Sequence, residues 1–169
     1  MQQQLGNPVP ELKSQTRVYI SSYKEGLEGP LWQVFFTAIR QVCSKDYSEQ
    51  QVQAWAPDKF DTMIWQTKIN SIRPWLAWVG NDLAGYADVQ SDGLIDHFFV
   101  HASFQRMGVG KTLMQHILSQ NPELRLYSYV SITAKPFFER QGFGTARENH
   151  TMLRGVSMTN FLMERSARK

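Results

Sequence analysis

The feature that most constrains the fold is a change of apolar period at Pro74. Upstream, Leu31, Val34, Phe35, Ala38, Ile39 and Val42 recur at i, i+3, i+4, i+7, i+8 and i+11, which is one face of a helix. "SEQQVQAW" opens with Ser48 and Gln51 spaced as a capping box and is closed by Pro57. A further helix is expected next, with Phe60, Met63 and Ile64 on its inner face. Downstream, "WLAWV", "LAGYADV" and "LIDHFFV" are strand-length runs separated by the turn-forming triplets "GND" and "SDG", the pattern of an antiparallel meander. Helical spacing returns in "GVGKTLMQHILSQ" through Val109, Leu113, Ile117 and Leu118, and Asn121-Pro122 ends it. "LRLYSYVSI" reads as a strand, "TAKPFFERQGF" as a short helix stopped by Gly142, and the remainder as a β-hairpin turning near Arg154-Gly155. With "RVYISSY" as the first strand, this order makes an α+β (α/β) sheet domain. Residues 1–16, polar and without period, read as a loose tail. Residues 17–165 form one domain, and residues 166–169 form a C-terminal tail.

Composition excludes several classes of function. The chain has 169 residues, 42% of them hydrophobic and 12% aromatic, enough for one packed core without metal or disulfides. Cys43 is the single cysteine, and the N-terminus has no signal-peptide pattern, so a reducing, cytoplasmic compartment is expected. No apolar run approaches the length of a membrane span. A net charge of +3 is too mild for a nucleic-acid stripe but suits a small anionic ligand. No Cys/His cluster suggests a metal.

Gly108 and Gly110, followed by Lys111 and Thr112, look like the start of a phosphate-binding helix. A P-loop would need its first glycine at position 105, which is Gln105, and would normally follow an early strand. A dinucleotide-binding fingerprint fails at its third glycine, where Leu113 stands. What survives is physical: a strand ending in Val100 runs through a short loop into a helix whose free N–H groups favour an anion. Glycines there remove the Cβ atoms that would keep a pyrophosphate from the backbone. A helix start that uses glycine merely to turn is the alternative.

Two longer motifs separate these readings. "VHASFQRMGVG" has the form V-x-x-x-x-[QR]-x-x-G-x-G, and "AKPFFERQGF" follows at the expected distance. Together they resemble the signatures of the Gcn5-related N-acetyltransferase (GNAT) superfamily. "SITAKPFFERQGF", "RGVSMTNFLM" and "YSEQQVQAWAP" look like a branch of poorly characterised bacterial acetyltransferases, and the resemblance spans about residues 17–165. It implies a mixed, mostly antiparallel sheet flanked by helices and splayed at the strand pair that receives acetyl-coenzyme A. It further implies that the backbone of Arg106, Met107, Gly108, Val109, Gly110 and Lys111 cradles the pyrophosphate, after Gln105. Backbone groups of Phe98, Phe99 and Val100 would pair with pantetheine as an added strand, and the Val100 N–H would polarise the thioester carbonyl. Ser131, Lys135 and Phe138 complete the expected cofactor set.

Acetyl transfer to an amine needs loss of a proton from an ammonium of pKa about 10, a stabilised oxyanion and a proton donor for the departing thiolate. Many members of the superfamily supply that donor as a tyrosine where this chain has Phe138. Tyr127 and Tyr129, which share a face of the next strand, are spare phenols, and Tyr129 is the expected donor. Asp96, read as inside an apolar strand on the face of Leu94, Phe98 and Val100, is the candidate base. By position it resembles a histidine that arylalkylamine acetyltransferases use in proton relay. It either accepts a proton through water, holds the substrate ammonium, or is a structural carboxylate. His97 is expected to point the other way, and His101 ends the strand. Tyr23, Trp32, Tyr47, Trp55 and Asn160 are candidates for lining the acceptor pocket, most of them doubling as core. The expected function is acetyl-coenzyme A-dependent transfer to a small-molecule or peptide amine in a ternary complex, without metal, nucleic acid or membrane. A coenzyme A-binding sensing module without turnover is the alternative. The oligomeric state is open, a homodimer included.

Overall fold

In the computed structural model, which describes residues 17–167, β1 (Val18–Ser21) leads into α1 (Glu28–Thr37), whose buried face includes Leu31, Trp32, Val34 and Phe35. The expected N-terminal tail, residues 1–16, and the end of the C-terminal tail, residues 168–169, lie outside the described residues. The periodic run that began in α1 widens into a π-helical turn over Ala38–Val42 and tightens into a 3-10 turn over Cys43–Lys45. Ala38 and Ile39 stay buried through this change while Val42 is only half-buried. The capping box of α2 (Glu49–Trp55) forms as expected: the Ser48 hydroxyl accepts from the Gln51 N–H at 3.2 Å, and the Ser48 N–H donates to Gln51 Oε1 at 2.9 Å.

The face assigned to the third helix is different from the one expected. Asp61 caps α3 (Thr62–Ile72) by accepting from the Met63 and Ile64 N–H groups, so Phe60 precedes the helix and shares no period with it. Trp65 and Ile69, one turn apart, are the buried pair, and Met63 and Ile64 are 74% and 70% exposed.

β2 (Trp75–Val79), β3 (Asp82–Ala87) and β4 (Phe98–Val100) form the expected meander, but the third strand is shorter than its apolar run. After it come α4 (Val109–Gln120), β5 (Leu126–Ser131), α5 (Lys135–Arg140), β6 (Gly144–Leu153) and β7 (Val156–Arg165). The hairpin between β6 and β7 turns at Arg154 and Gly155, with φ of 47° and 77°, as a two-residue turn of primed type requires. One antiparallel sheet has the order β1-β2-β3-β4 and the other β5-β7-β6.

The two sheets meet at one point and then part. Leu94 bridges Tyr127 in parallel, with the Ile95 N–H donating to Tyr127 O at 2.8 Å and the Tyr127 N–H to Gly93 O at 3.0 Å. Gly93 has φ +93°, and a Cβ there would lie 2.1 Å from the Arg125 carbonyl oxygen, so only glycine lets the chains close. The buried Ser128 hydroxyl donates to Ile95 O at 2.7 Å and locks the apex. Beyond it β4 bonds only to β3, and β5 only to β7. α1 and α3 cover one face of the first sheet around Leu76 and Tyr86. α4 covers the other through Leu113, Met114 and Ile117.

Candidate active site

The splay leaves one edge of β4 unpaired. The Asp88 N–H donates to His97 O at 3.1 Å and the His101 N–H to Ala84 O at 2.8 Å, so the odd-numbered residues of this stretch bond to β3. By antiparallel alternation, Phe98 and Val100 turn their N–H and C=O groups into the gap. The Val100 carbonyl is taken by the Gln105 side chain, whose Nε2 donates to it at 2.8 Å. Gln105 thereby ties the end of the strand to the loop below it. The free groups at this edge are the Phe98 N–H and C=O and the Val100 N–H.

That loop is shaped to present backbone donors. Arg106 has φ of 60° and Gly108, the residue capping α4, has φ of 83°. At Gly108 no atom lies within 4 Å of a Cβ position, so the left-handed backbone demands glycine there, while the space around it stays open. With no side chain to cap them, the N–H groups of Val109, Gly110 and Lys111 have no intrahelical acceptor. The side chain of Val109 is buried in the core, so that residue offers only its backbone. Arg106 and Lys111 are exposed, adding two cations beside the helix start. An edge that accepts an extended amide chain, running into a cradle for phosphate oxygens, fits acetyl-coenzyme A.

Beneath the edge lies a cavity of about 600 Å³ walled by α1, α3, β4, β5 and the final hairpin. Its floor is aromatic: Trp32 stacks on Phe60 at 3.7 Å between ring centroids and meets Trp65 edge-on at 5.0 Å. Of the residues expected here, Trp32, Tyr47, Trp55 and Asn160 line it. Tyr23 does not; its hydroxyl bonds to Glu28 at the start of α1 at 2.5 Å and to Asn70 of α3 at 2.6 Å. The Tyr47 hydroxyl, facing the cavity by its ring, is committed to Thr159 O and the Ile132 N–H.

Asp96 and His97 both line this cavity, as do Phe98 and Phe99, but Asp96 sits on the same side as His97, paired with Lys68 of α3. The cause is Asp88, buried to 1%, whose Oδ1 accepts from the Asp96 N–H at 3.0 Å and the His97 N–H at 2.6 Å. With both N–H groups held by one oxygen, residues 95–97 leave the regular strand: Asp96 turns to Lys68 and does not continue the face of Phe98 and Val100, while His97 lies, as expected, on the opposite side from Phe98, with Phe35, Tyr86 and Phe99. Burial pushes the Asp88 carboxyl up to about 6, against the pull of these hydrogen bonds. The Asp96 carboxylate is ion-paired with Lys68 of α3. His97 packs face-to-face on Phe35 at 5.9 Å, and its Nδ1 lies 3.0 Å from the Tyr86 hydroxyl. Burial holds its imidazole well below the ordinary range, so it is neutral.

The remaining expected residues separate by partner. Tyr127 donates its hydroxyl to Asp92 at 2.6 Å, whereas Tyr129, on the same strand face, lines the cavity with its hydroxyl unbonded among the described residues. Ser131 lines the cavity and its Oγ accepts from the Ala134 N–H at 3.0 Å. Phe138 is 2% exposed among Phe98, Phe137 and Phe143, a core aromatic at the cavity wall. Lys135 pairs with Glu139 and lies over the Phe161 ring at 5.3 Å. His101 accepts from the Ser103 N–H at 3.1 Å and caps the turn after β4. Cys43 is buried, and its thiol is pushed up to about 11 by that burial, so it is no nucleophile. Among the described residues no acidic, Cys or His group forms a metal cluster, and no helix is long and apolar enough to cross a membrane.

Sequence reasoning missed Lys68, Tyr86 and Asp88. Asp88 had a signal, a carboxylate closing the apolar run "LAGYADV"; Lys68, on an otherwise ordinary polar face of α3, had none.

Comparison with known proteins agrees with this geometry. Residues 43–165 match the family described as acetyltransferase (GNAT) domain. The uncharacterized N-acetyltransferase YafP of Escherichia coli (strain K12) is 34% identical over 146 residues, 86% of this chain and 94% of that protein. A GCN5-related N-acetyltransferase from Rhodopseudomonas palustris has the same fold, with a TM-score of 0.82 at 23% identity over 95% of this chain and 99% of that one. The PaiA N-acetyltransferase from Thermoplasma acidophilum, solved in complex with coenzyme A, has a TM-score of 0.64 at 16% identity over 89% and 99% of the respective chains.

Proposed function

Because this chain belongs to the GNAT acetyltransferase family and is an N-acetyltransferase, we propose that it transfers acetyl from acetyl-coenzyme A directly to a primary amine within a ternary complex. The observation that carries this reading is the unpaired edge of β4 opening straight onto the aromatic cavity. One side of the gap can hold an extended pantetheine arm while the other holds an amine, and among the described residues that line it there is no cysteine. When bound, acetyl-coenzyme A supplies the activated acyl group. The protein's part is to bind, orient and move protons.

The Phe98 N–H and C=O hold the arm in strand register, and the N–H groups of Val109, Gly110 and Lys111 hold the phosphates with Arg106 nearby. The Val100 N–H donates to the acyl oxygen as negative charge grows there. Asp96 receives the amine and takes up its proton, directly or through water, as the new C–N bond forms and the C–S bond breaks. Lys68, ion-paired with that carboxylate, holds it in place. Tyr129 is the one free phenol in the cavity and donates to the departing sulfur, the role Phe138 cannot fill.

The test is coenzyme A release, followed with a thiol reagent, across a panel of amines. Release that depends on an amine, with intersecting double-reciprocal lines, is expected. Parallel lines would mean an acyl-enzyme and overturn the direct transfer; absence of release from every amine would overturn transfer to amines.

A further inference from the structure

The acceptor half of the cavity has an uneven chemistry. Its walls are Trp32, Phe35, Phe60 and Trp65, so a flat apolar body is what they cover best. Its charges are already committed: Lys68 with Asp96, Asp61 with the N–H groups of α3, and Arg154 with the Ala54 carbonyl at 2.6 Å. There is no surplus of carboxylates to gather a polycation.

One polar atom in this wall, His97 Nε2, has no partner. Behind it the Tyr86 hydroxyl is fully buried, and among the described residues its only hydrogen bond is to His97 Nδ1. A buried O–H with nothing to accept its proton is costly, and a single contact satisfies it only if Tyr86 donates and Nδ1 accepts. Neutral imidazole carries one proton, which must then sit on Nε2. Among the described residues His97 Nε2 makes no hydrogen bond, and it is not sealed from solvent as the unbonded His116 Nε2 is. In a residue lining the cavity, that leaves Nε2 open to the cavity itself. The groups around it are Asp96 and Lys68 at its flank, Asp88 behind its backbone and Tyr86 beneath.

We propose that His97 determines acceptor specificity: held by Tyr86, it presents Nε2–H to a hydrogen-bond-accepting oxygen or ring nitrogen carried by a flat aromatic primary amine. This rests on the reading of the cavity as the acceptor site. His97 is thus a donor that selects, and Asp96 beside it is the group that meets the ammonium. The Asp88 carboxylate serves both by holding their two N–H groups on one oxygen.

The test reads binding, so that it does not depend on turnover. In protein labelled with ¹⁵N at histidine, the imidazole resonances identify which nitrogen of His97 is protonated. Nε2–H is expected, and protonation of Nδ1 would overturn the proposal. With coenzyme A present, meta- and para-(aminomethyl)acetophenone are then titrated against their isopropyl isosteres. One hydrogen bond predicts that a ketone binds about 2- to 10-fold tighter than its isostere and shifts the Nε2–H resonance. His97→Phe, which keeps a ring against Phe35, should bring the ratio to one. If the orphaned Tyr86 hydroxyl prevents that variant from folding, Tyr86→Phe/His97→Phe removes both polar groups and makes the same comparison. Equal affinity for ketone and isostere in the wild type, or a ratio that survives the variants, would overturn it. Selective ketone binding, with no coenzyme A released when the same amines are supplied with acetyl-coenzyme A, would instead refute the transfer reading and leave the role of His97 standing.

Discussion

Replacing Gly93 by alanine should weaken this fold more than any other glycine substitution at a turn, and the structure sets the size of the effect. Alanine at φ +93° carries a backbone cost of about 1–2 kcal/mol. The added Cβ would stand 2.1 Å from the Arg125 carbonyl oxygen, a backbone atom that cannot rotate away. Relieving the overlap requires the two sheets to separate at this junction, stretching the Tyr127-to-Gly93 and Ile95-to-Tyr127 hydrogen bonds. At about 0.5–1.5 kcal/mol each, their loss brings the total to about 2–5 kcal/mol. That is a large share of an ordinary stability of about 5–15 kcal/mol. Gly155→Ala is the matched control: its φ is +77° but no atom lies within 4 Å of the new methyl, so only the backbone cost applies. Urea denaturation followed by far-UV circular dichroism would give both midpoints. Because the apex also sets the width of the gap, Gly93→Ala should lose affinity for coenzyme A, and Gly155→Ala should not. Equal destabilisation of the two variants would refute the close approach at Gly93 and, with it, this account of the splay.

Asp96→Asn should lower turnover about 10²–10⁴-fold if the carboxylate accepts the proton. Its half-exposed pairing with Lys68 is worth at most about 1 kcal/mol, so the melting temperature should barely move, and unchanged kinetics would make Asp96 structural. At Gly110 a Cβ would sit 3.4 Å from Phe137 Cζ and 3.7 Å from Val100 Cγ2, so Gly110→Ala should fold and bind. Gly110→Glu should fold but bind coenzyme A at least about tenfold more weakly by calorimetry, through charge and bulk at the cradle; retained affinity would misplace the cradle. Asp88 gives a pH signature. Its carboxyl is raised from 3.8 to about 6 in the folded protein, so the native state holds the proton more tightly than the unfolded chain. The stability it contributes is full below pH about 4 and lost as pH rises through about 6, a change of about 3 kcal/mol. Asp88→Asn keeps an acceptor for both N–H groups, and should flatten the urea midpoint against pH across that window; an unaltered slope would mean Asp88 is not the group responsible.

Local chemistry made much of this protein legible in its sequence. The capping box at Ser48 and Gln51, the turn at Arg154-Gly155 and the glycine-started α4 depend on residues within a few positions of one another, and each formed where its spacing puts it. The signature from Val100 to Gly110 is also local, because Gln105 reaches back to the carbonyl of Val100 within one loop. Periodicity was less sure where a cap intervened: Asp61 moved the start of α3 and turned Trp65, not Met63 and Ile64, inward.

The acceptor half of the site belongs to tertiary structure. An apolar run such as "LIDHFFV" specifies an extended chain, and alternation then puts Asp96 and His97 on opposite sides. Asp96 instead lies beside His97 and meets Lys68 because the Asp88 carboxylate, eight and nine residues earlier, captures both of their N–H groups and interrupts the alternation. Lys68 reaches Asp96 across 28 residues of sequence, and Tyr86 chooses the tautomer of His97 only because the core leaves its hydroxyl one partner. Sequence spacing controls what the backbone can do with its own neighbours. Which charges and protons face one another in the cavity was decided by packing, since burial and partnership exist only once distant segments meet.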